Sequence, residues 1–549
     1  MKRQLTLVAL MLACLSMWAD PVGREAAKQT AKQFLQKRGV EMTAQQPAHR
    51  APRKGKTEKE NSYYYVFNAG NDQGYVIVSG DSRTEEILGY VEHGTYDESA
   101  LPEHMKAWLQ GYADQIQYLD DHAIKGTTPK QRAAARRRLK STKHAVPTLM
   151  STTWNQGEPY NSKCPDYYKS NGEAARPASG CVATALAQVM NFYKHPKRTM
   201  ADIPAISNTY QLSNGQQKTV NTKPIRRFTK LEWDKMQDHY TGNEPQEQID
   251  AVANLMLYVG QSVHMAYGAS SGASFNSYAA RMLTDYFNYA KGAYIAYRTD
   301  YSIDGWYNLL YDEIATGHPV GFTGRSTGGA HAFVIDGYDG ENMFHLNWGW
   351  GGQCDGWCRL TSLNPGDNTG IGASMSKDGY DLGQSALINV RLPDGEKAEP
   401  ATSLTINNIA IEGTSIKAKY INWTGATDNF DAAVVYENEK GEIVPVGGRY
   451  ENFSLNNNNA TDRSFNVRKL LPVGTWKLSP ASKVHSAKTW HPVLNMRDNY
   501  IEAVVGENQS ITLRFVEPNV DLCVEEVICA GTGETLLLLV AGEVRQPWR

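Results

Sequence analysis

The stretch from Ser179 to Met190 constrains this chain most, because it places a cysteine at the start of an apolar helix. Apolar residues recur after Cys181 at helical spacing, and Pro196 ends the pattern. Unpaired N–H groups and the helix dipole favour an anion at such a position, so a thiol there is biased toward the reactive thiolate. Taken alone, the stretch also fits an ordinary buried cysteine.

Two later stretches supply possible partners for this cysteine. His331 opens an apolar run that predicts a buried strand, and a third stretch carries Asn347 and Trp348. A nucleophile needs a base, and the base needs a group that holds its ring. A cysteine, then a distant histidine, then an Asn-Trp segment is the chain order of papain-like peptidases.

The sequence resembles the streptopain family of papain-like cysteine peptidases, which are secreted bacterial enzymes made as zymogens. The matching stretches occur in the family's order: Asn155–Asn161, Gly180–Ala185, Tyr267–Gly272, Gly329–Gly337 and Asn347–Gly352. They span about 150–395, and a weaker resemblance covers 20–145. The resemblance implies an α+β fold with a papain-like two-lobed catalytic domain, one lobe helical and the other β-rich.

The resemblance also implies roles for the catalytic candidates. Cys181 attacks the peptide carbonyl as half of a thiolate–imidazolium pair, and His331 protonates the leaving amine. The Gln156 amide joins the Cys181 N–H in an oxyanion hole, which suits a reaction that builds negative charge on oxygen; the alternative for Gln156 is a turn cap. Either Asn347 or Trp348 orients His331, and both remain candidates.

Substrate contacts are expected in two places. The segment from Tyr267 to Phe275 is small and rich in Gly and Ser, which suits close approach by an extended peptide. The resemblance implies that its central residues line the pocket for the side chain two positions before the cut, with an apolar preference, and that the backbone before His331 pairs with substrate. The residues concerned are Ser271, Gly272, Ala273, Gly329 and Ala330. A merely flexible loop is the alternative for 267–275.

The N-terminus predicts export. With 549 residues, the chain is too long for one ordinary core. Lys2 and Arg3 precede an apolar run that ends near Ala19, so residues 1–19 are interpreted as a signal peptide. The protein is therefore expected to be secreted or on the bacterial cell surface. An imperfect lipidation box at Cys14 leaves a lipoprotein as the alternative.

Residues 20–145 predict a small α+β domain. A helical pattern over Ala26–Leu35 is followed by a Pro/Lys/Glu-rich loop to Asn61, then three strands, then a helical pattern over Leu101–Leu119. The resemblance makes this region an inhibitory propeptide, an intramolecular inhibitor of the enzyme; an independent binding module is the alternative. The basic run from Lys130 to Lys143 predicts an exposed segment, with the maturation cut near Lys143–Ala145.

Residues 146–395 are assigned to the peptidase domain, and 396–549 to a β-rich extension with the strand spacing of a β-sandwich. The net charge of -2 provides no strongly positive electrostatic field that would attract nucleic acid. No stretch after the N-terminal apolar run has the length of a transmembrane helix. Cys354 and Cys358 near His345 lack the second ligand pair of a zinc site. No metal, no other cofactor and no disulfide framework are expected.

The sequence thus predicts a secreted cysteine endopeptidase that hydrolyses protein or peptide substrates and stays latent until its propeptide is removed. Two alternatives remain at this point. One is a non-enzymatic surface binding protein on a degenerate peptidase fold. The other is an amidase or transpeptidase of cell-wall peptides, which would use the same cysteine and histidine.

Overall fold

The computed structural model describes residues 21–42, 49–53, 62–121, 143–361, 384–393 and 404–516, with short internal gaps at 274, 276, 291, 299–300, 302, 327–328, 423–426, 439, 457–458, 468–470 and 494–499. The chain forms two compact units, the larger built mainly from residues before 402 and the smaller mainly from those after it. The predicted signal peptide and most of the basic run lie outside the described residues. Within the described part, no helix is long and apolar enough to cross a membrane.

The larger unit contains six α-helices among the described residues: α1 Arg24–Lys37, α2 Glu103–Asp121, α3 Cys181–Tyr193, α4 Gln246–Ser262, α5 Ser277–Phe287 and α6 Ile303–Ala315. Single 3-10 turns lie at Gly70–Asp72, Glu98–Ala100 and Trp233–Lys235. The helices predicted near residues 26, 101 and 182 are all present, because each carries an apolar stripe that the core can bury.

One ten-stranded sheet runs through the larger unit. Its N-terminal strands are β1 His49–Pro52, β2 Ser62–Asn68, β3 Tyr75–Ser79 and β4 Ile87–Val91. The last three match the predicted strands. The first corrects the prediction, because residues 49–52 were assigned to a loop. We call residues 21–121 the leader.

The remaining strands of this sheet are β9 Tyr294–Tyr297, β10 Val320–Ser326, β11 Gly329–Tyr338, β12 Phe344–Asn347, β13 Gly356–Cys358 and β14 Ser385–Ile388. The strand order in the sheet is β1-β2-β3-β4-β13-β12-β11-β10-β14-β9. Two small hairpins lie apart from it: β5 Tyr167–Tyr168 with β6 Ala174–Ala175, and β7 Ser207–Gln211 with β8 Gln217–Asn221.

The leader joins the rest of the unit through antiparallel pairing of β4 with β13, where Gly89 lies opposite Cys358. A side chain at Gly89 would meet the Cys358 Sγ atom and the Trp357 carbonyl at 2.9 Å, so this close approach requires glycine. Sequence patterns predicted neither this pairing nor the shared sheet.

Polar contacts reinforce the same boundary. Glu92 accepts a hydrogen bond from the Trp357 indole at 3.0 Å, and Arg359 lies 3.5 Å from Glu85. The Tyr112 hydroxyl donates to the Arg359 carbonyl. The leader therefore adheres both along its sheet edge and through its helix α2.

Helix α3 runs through the main core of the larger unit. Ten of its residues, from Val182 to Asn191, are buried. Seven of them, all apolar, pack in one cluster with residues of α4 and α5 and with Ala332 and Val334 of β11. The helix that begins at Cys181 is thus fixed against the strand that carries His331.

The smaller unit contains only strands among its described residues. They are β15 Thr405–Glu412, β16 Ser415–Ile421, β17 Asp428–Glu437, β18 Ile443–Leu455, β19 Ala460–Asn466, β20 Gly474–Val484, β21 His491–Pro492, β22 Tyr500–Val505 and β23 Ile511–Val516. They form a three-stranded and a six-stranded sheet, and both contribute to one hydrophobic cluster.

A buried ion network stabilises the leader itself. The Asp81 carboxylate, whose side chain is 0% exposed, bonds to Arg53 and Arg83 at 2.7 Å each, and both arginines also reach Asp120. The network lowers the pKa of Asp81 although burial opposes ionisation. Removing one member of such a cluster leaves buried charge unmatched.

We therefore expect Asp81→Ala to destabilise the leader by about 3–5 kcal/mol, because two buried guanidinium groups lose their shared carboxylate. Urea unfolding of the full chain should show an earlier first transition. The control is Glu173→Ala, which removes an exposed ion pair with Lys169 and should leave the curve unchanged. Equal curves for both variants would show that the network does not stabilise the leader.

Candidate active site

Cys181 is the first residue of α3, and the backbone before it is unusually crowded. Gly180 has φ 93°, and a side chain there would meet the Met265 side chain at 2.6 Å. Only glycine accommodates both the positive φ and the close approach. The sequence Gly-Cys is therefore required for the sulfur to sit at the helix N-terminus.

The surroundings of the sulfur act on its pKa in opposite directions. Burial raises the pKa of the Cys181 thiol above its ordinary value, whereas hydrogen bonds from the backbone N–H groups of Ala332, Val182 and Cys181 itself lower it. The net shift is upward in this leader-bound form, so the expected bias toward thiolate is not met here. The bond from Ala332 places the sulfur beside the residue that follows His331.

His331 lies near the start of β11 and is 6% exposed. Its Nε2 atom is 3.3 Å from the carbonyl oxygen of Trp348, and its ring stacks on Phe333 with centroids 6.2 Å apart. Phe333 in turn contacts the Trp348 ring at 4.7 Å. The imidazole is thus held between a carbonyl acceptor and an aromatic surface.

Asn347 anchors the segment that follows β12. Its Oδ1 atom accepts from Gln188 at 3.0 Å and from the Gly349 N–H at 3.2 Å, and its Nδ2 atom donates to the Thr152 carbonyl at 2.6 Å. Gln188 lies two turns along α3 from Cys181, so this amide pair joins the nucleophile helix to the loop beside His331. Of the two candidates for orienting His331, Trp348 is the one whose carbonyl lies at the imidazole.

Gln156 is placed next to the nucleophile by its backbone. Its carbonyl accepts from the Ser179 N–H at 2.9 Å, and its own N–H donates to the Asn155 side chain at 2.6 Å. Ser179 is two residues before Cys181, and Gln156 is 8% exposed. The predicted oxyanion-hole residue and the nucleophile therefore come from adjacent backbone segments.

Ser271 also bonds to the backbone that leads into Cys181. Its hydroxyl donates to the Ala178 carbonyl at 2.6 Å and accepts from the Gly268 N–H at 3.0 Å. The next residue, Gly272, pairs with Ala266 in an isolated bridge, and Ala273 packs against the main core. The segment 266–273 is thus tied to the backbone that leads into Cys181.

Gly329 and Ala330 belong to the start of β11, where their backbones pair with Ser326 and Arg325 of β10. They immediately precede His331 in the same strand. The candidate residues thus lie on five backbone segments, and those of Gln156 and Ser271 bond directly to the backbone just before Cys181.

The residues considered as possible metal ligands in the sequence are not arranged as a metal site. His345 Nδ1 bonds to Asp336 at 2.6 Å, and that carboxylate raises the pKa of His345 against the effect of burial. Cys354 and Cys358 are free thiols. Across the described ranges, no group of three or more His, Cys, Asp or Glu residues is arranged to hold a metal ion.

A tryptophan of the leader reaches this site. Trp108 of α2 is 4% exposed and makes edge contacts with Phe333 at 5.8 Å and Trp348 at 5.7 Å. These are the two residues that hold the His331 ring. Its indole N–H donates to Tyr112 at 3.0 Å, which fixes the ring plane.

Sequence reasoning did not assign Trp108, Gln188 or Asp355 to the site. Gln188 had a usable signal, since it is a polar residue inside the apolar pattern of α3 and is fully buried. Asp355 accepts from the Trp348 N–H at 2.8 Å, a contact that only the folded loop reveals. Chemically, the arrangement offers a thiol, an imidazole and amide donors suited to acyl transfer.

Two family models match parts of the chain. The peptidase C10 family matches residues 154–358, and the Spi protease inhibitor family matches residues 19–116. The first match contains Gln156, Cys181, His331, Asn347 and Trp348, whereas the second contains Trp108.

Similar proteins include proteases of several bacteria. Streptopain of Streptococcus pyogenes is 34% identical over 61% of this chain and 82% of its own length. The thiol protease/hemagglutinin PrtT of Porphyromonas gingivalis is 29% identical over 77% of this chain, which spans about half (49%) of that relative. Among solved structures, a Prevotella intermedia prointerpain A fragment is 28% identical, with 63% of this chain and 99% of the fragment covered and a TM-score of 0.46.

The raised pKa of Cys181 predicts a slow reaction with alkylating agents while the leader is in place. Iodoacetamide should label Cys181 slowly near pH 7 and faster as the pH rises beyond the range of an ordinary thiol, because the thiolate is the reactive form. Mass spectrometry of the alkylated peptide gives the rate, and Cys181→Ala identifies labelling of other cysteines. Rapid labelling of Cys181 at pH 7 in the intact chain would contradict the raised pKa.

Proposed function

This chain belongs to the peptidase C10 family and is a cysteine endopeptidase with an N-terminal inhibitor domain, and on that premise we propose that it is a secreted zymogen acting through Cys181 and His331. The observation that carries the proposal is the position of the Cys181 sulfur at the N-terminus of α3, hydrogen-bonded by the N–H next to His331. Secretion is supported by the apolar N-terminal run.

In the proposed reaction, the Cys181 thiolate attacks the carbonyl carbon of the substrate peptide while His331 is protonated. The negative charge that forms on the carbonyl oxygen is stabilised by the Cys181 N–H and the Gln156 side chain. His331 then gives its proton to the leaving amine, and the acyl group stays on sulfur. Water, deprotonated by His331, releases the acyl group as a carboxylate.

The other proposed roles follow the placement of each residue. Trp348 orients His331 through its carbonyl, and Asn347 holds the same loop to α3 through Gln188. Segment 271–273 receives the substrate side chain two positions before the cut, with an apolar preference, and Gly329 with Ala330 pairs with the substrate backbone. The substrates are proteins or peptides, and no cofactor takes part.

We propose that the leader keeps the enzyme latent through Trp108. This ring contacts both Phe333 and Trp348, so it controls the position of the two residues around the imidazole. Burial also raises the pKa of Cys181 and so favours the protonated, less reactive thiol. Cleavage near Lys143–Ala145 would release the leader, whose polypeptide connection to the peptidase lies there.

We also propose the domain limits 1–19, 20–145, 146–395 and 396–549, with a two-lobed peptidase and a C-terminal β-sandwich. The helical cluster around α3 and the strands around β11 support the two lobes. The shared apolar cluster of the two C-terminal sheets supports the sandwich.

Cys181→Ala tests the nucleophile. Wild-type enzyme should digest casein and leave peptidoglycan fragments intact. The variant should digest neither substrate and should retain its leader, because no thiol can form the acyl intermediate. Casein digestion and gel analysis of leader removal are the measurements. Cys164→Ala, at a free cysteine away from the helix start, is the matched control and should keep activity. Casein digestion by Cys181→Ala would refute the proposed dyad.

Trp108→Ala tests the latency mechanism. Loss of this buried ring should weaken folding and docking of the leader by about 3–5 kcal/mol, so the full chain should mature faster. The time course of leader release on a gel is the measurement. Gln110→Ala changes an exposed residue of the same helix whose amide bonds to Asp114 and should mature like wild type. If both variants mature at the wild-type rate, Trp108 does not maintain latency.

A further inference from the structure

A short chain of hydrogen bonds extends from the imidazole of His331 to a carboxylate outside the predicted site. The Asp355 Oδ1 atom accepts from the Trp348 N–H at 2.8 Å, and the Trp348 carbonyl lies 3.3 Å from His331 Nε2. Both contacts belong to one residue, so a bond that fixes the Trp348 N–H restrains the preceding peptide plane and limits the positions open to the carbonyl that follows. Asp355 thus acts on the acceptor that holds the imidazole.

We propose that Asp355 is a positioning residue for the hydrolysis, one that sets the orientation of His331 through the backbone of Trp348. The inference rests on the proposed dyad of Cys181 and His331. It adds a residue that touches neither the substrate nor the reacting atoms, and that lies just before β13.

The loop from Trp348 to Asp355 needs such a restraint because of its composition. Gly349, Gly351 and Gly352 all have positive φ values of 70–84°, and Cys354 has φ 63°. Glycine-rich backbone has many accessible conformations and loses more entropy than other backbone when it is ordered. A free loop of this kind would leave the Trp348 carbonyl poorly located.

Two hydrogen bonds close the loop on itself. Besides the bond to Asp355, the Trp348 indole N–H donates to the Cys354 carbonyl at 2.9 Å. The beginning and end of the loop are therefore joined through both the backbone and the side chain of Trp348. Of these two contacts, the one to Asp355 orients the peptide group next to the carbonyl that faces His331.

The surroundings of Asp355 make its contribution dependent on pH. Desolvation raises the pKa of Asp355 to about 7, and the charge of Asp336 adds to this, whereas the Trp348 N–H and His345 act in the opposite direction. An ionised carboxylate accepts a shorter and stronger hydrogen bond than a neutral acid. The restraint on Trp348 should therefore tighten as the pH rises through this value.

The test compares wild type, Asp355→Ala and Asp355→Asn after maturation of the full chain with traces of wild-type enzyme. Alanine removes the acceptor, whereas asparagine keeps an oxygen at the same place without the charge. For Asp355→Ala we expect kcat to fall roughly 10- to 100-fold with KM nearly unchanged, because a misplaced imidazole affects the chemical steps. Asp355→Asn should recover most of kcat at neutral pH.

The pH profile of Cys181 alkylation provides a second readout. In the matured wild type, the imidazole should keep the thiolate populated at low pH, so alkylation of Cys181 should already be fast there. Asp355→Ala should shift the low-pH rise in the alkylation rate to higher pH, and Asp355→Asn should shift it back. A role in stability alone would lower the amount of folded enzyme but would leave the pH profile of the folded fraction unchanged.

Gln353→Ala is the matched control, because Gln353 lies in the same loop and its amide bonds to Ala100 of the leader. If Asp355→Ala does not fold, Asp355→Glu keeps the charge while moving the acceptor by one methylene and should give an intermediate kcat. Wild-type kcat in Asp355→Ala, or a loss that Asp355→Asn does not recover, would overturn the inference. An inactive wild type that does not react at Cys181 would instead refute the proposed function.

Discussion

The loop between β12 and β13 is the feature on which the candidate site depends. At its start, Asn347 bonds to Gln188 and thereby ties the loop to the helix of Cys181. Its next residue presents a carbonyl to His331, and its end returns to the start through Asp355. The sulfur and the imidazole come from distant parts of the chain. This loop contacts the imidazole directly, and it is linked to the sulfur through α3.

The same loop is where the leader meets the peptidase. Trp108 packs on Trp348, and Gln353 donates to the Ala100 carbonyl. Under the proposed roles, inhibition and catalytic geometry use overlapping contacts, since Trp108 of the leader packs on Phe333 and Trp348, the two residues that contact the His331 imidazole. Under the proposed function, latency does not require the leader to contact the sulfur itself.

Local patterns were sufficient to predict several elements, whereas distant pairings were not predictable. The apolar stripes of α1, α2 and α3 and the runs of β2, β3 and β4 are properties of short windows, so they could be assigned directly. Residues 49–52 lie in a polar stretch without such a pattern and become a strand only because β2 offers them an edge. The pairing of β4 with β13 joins residues far apart in sequence, and no local signal specifies it.

The candidate site likewise contains residues that the sequence could identify and residues whose roles appear only in the folded chain. The residues that carry reactive groups could be chosen by type and chain order, as Cys181, His331 and Gln156 illustrate. The residues that hold them could not, because the roles of Asp355 and Trp108 arise from a loop closure and a helix contact that exist only after folding. The sign of the pKa shift at Cys181 likewise depends on burial in the folded chain, which a helix-start argument does not include.

The continuous sheet has a consequence for the matured enzyme. Once residues 21–121 depart, β13 loses its neighbour β4, and the backbone groups of Trp357 and Cys358 become an open edge. Such an edge attracts any extended chain of complementary shape, and it is short, with three residues in the strand. The released leader already fits this edge. Until the leader is degraded or diluted, it can dock there again as a separate chain and compete with other extended chains.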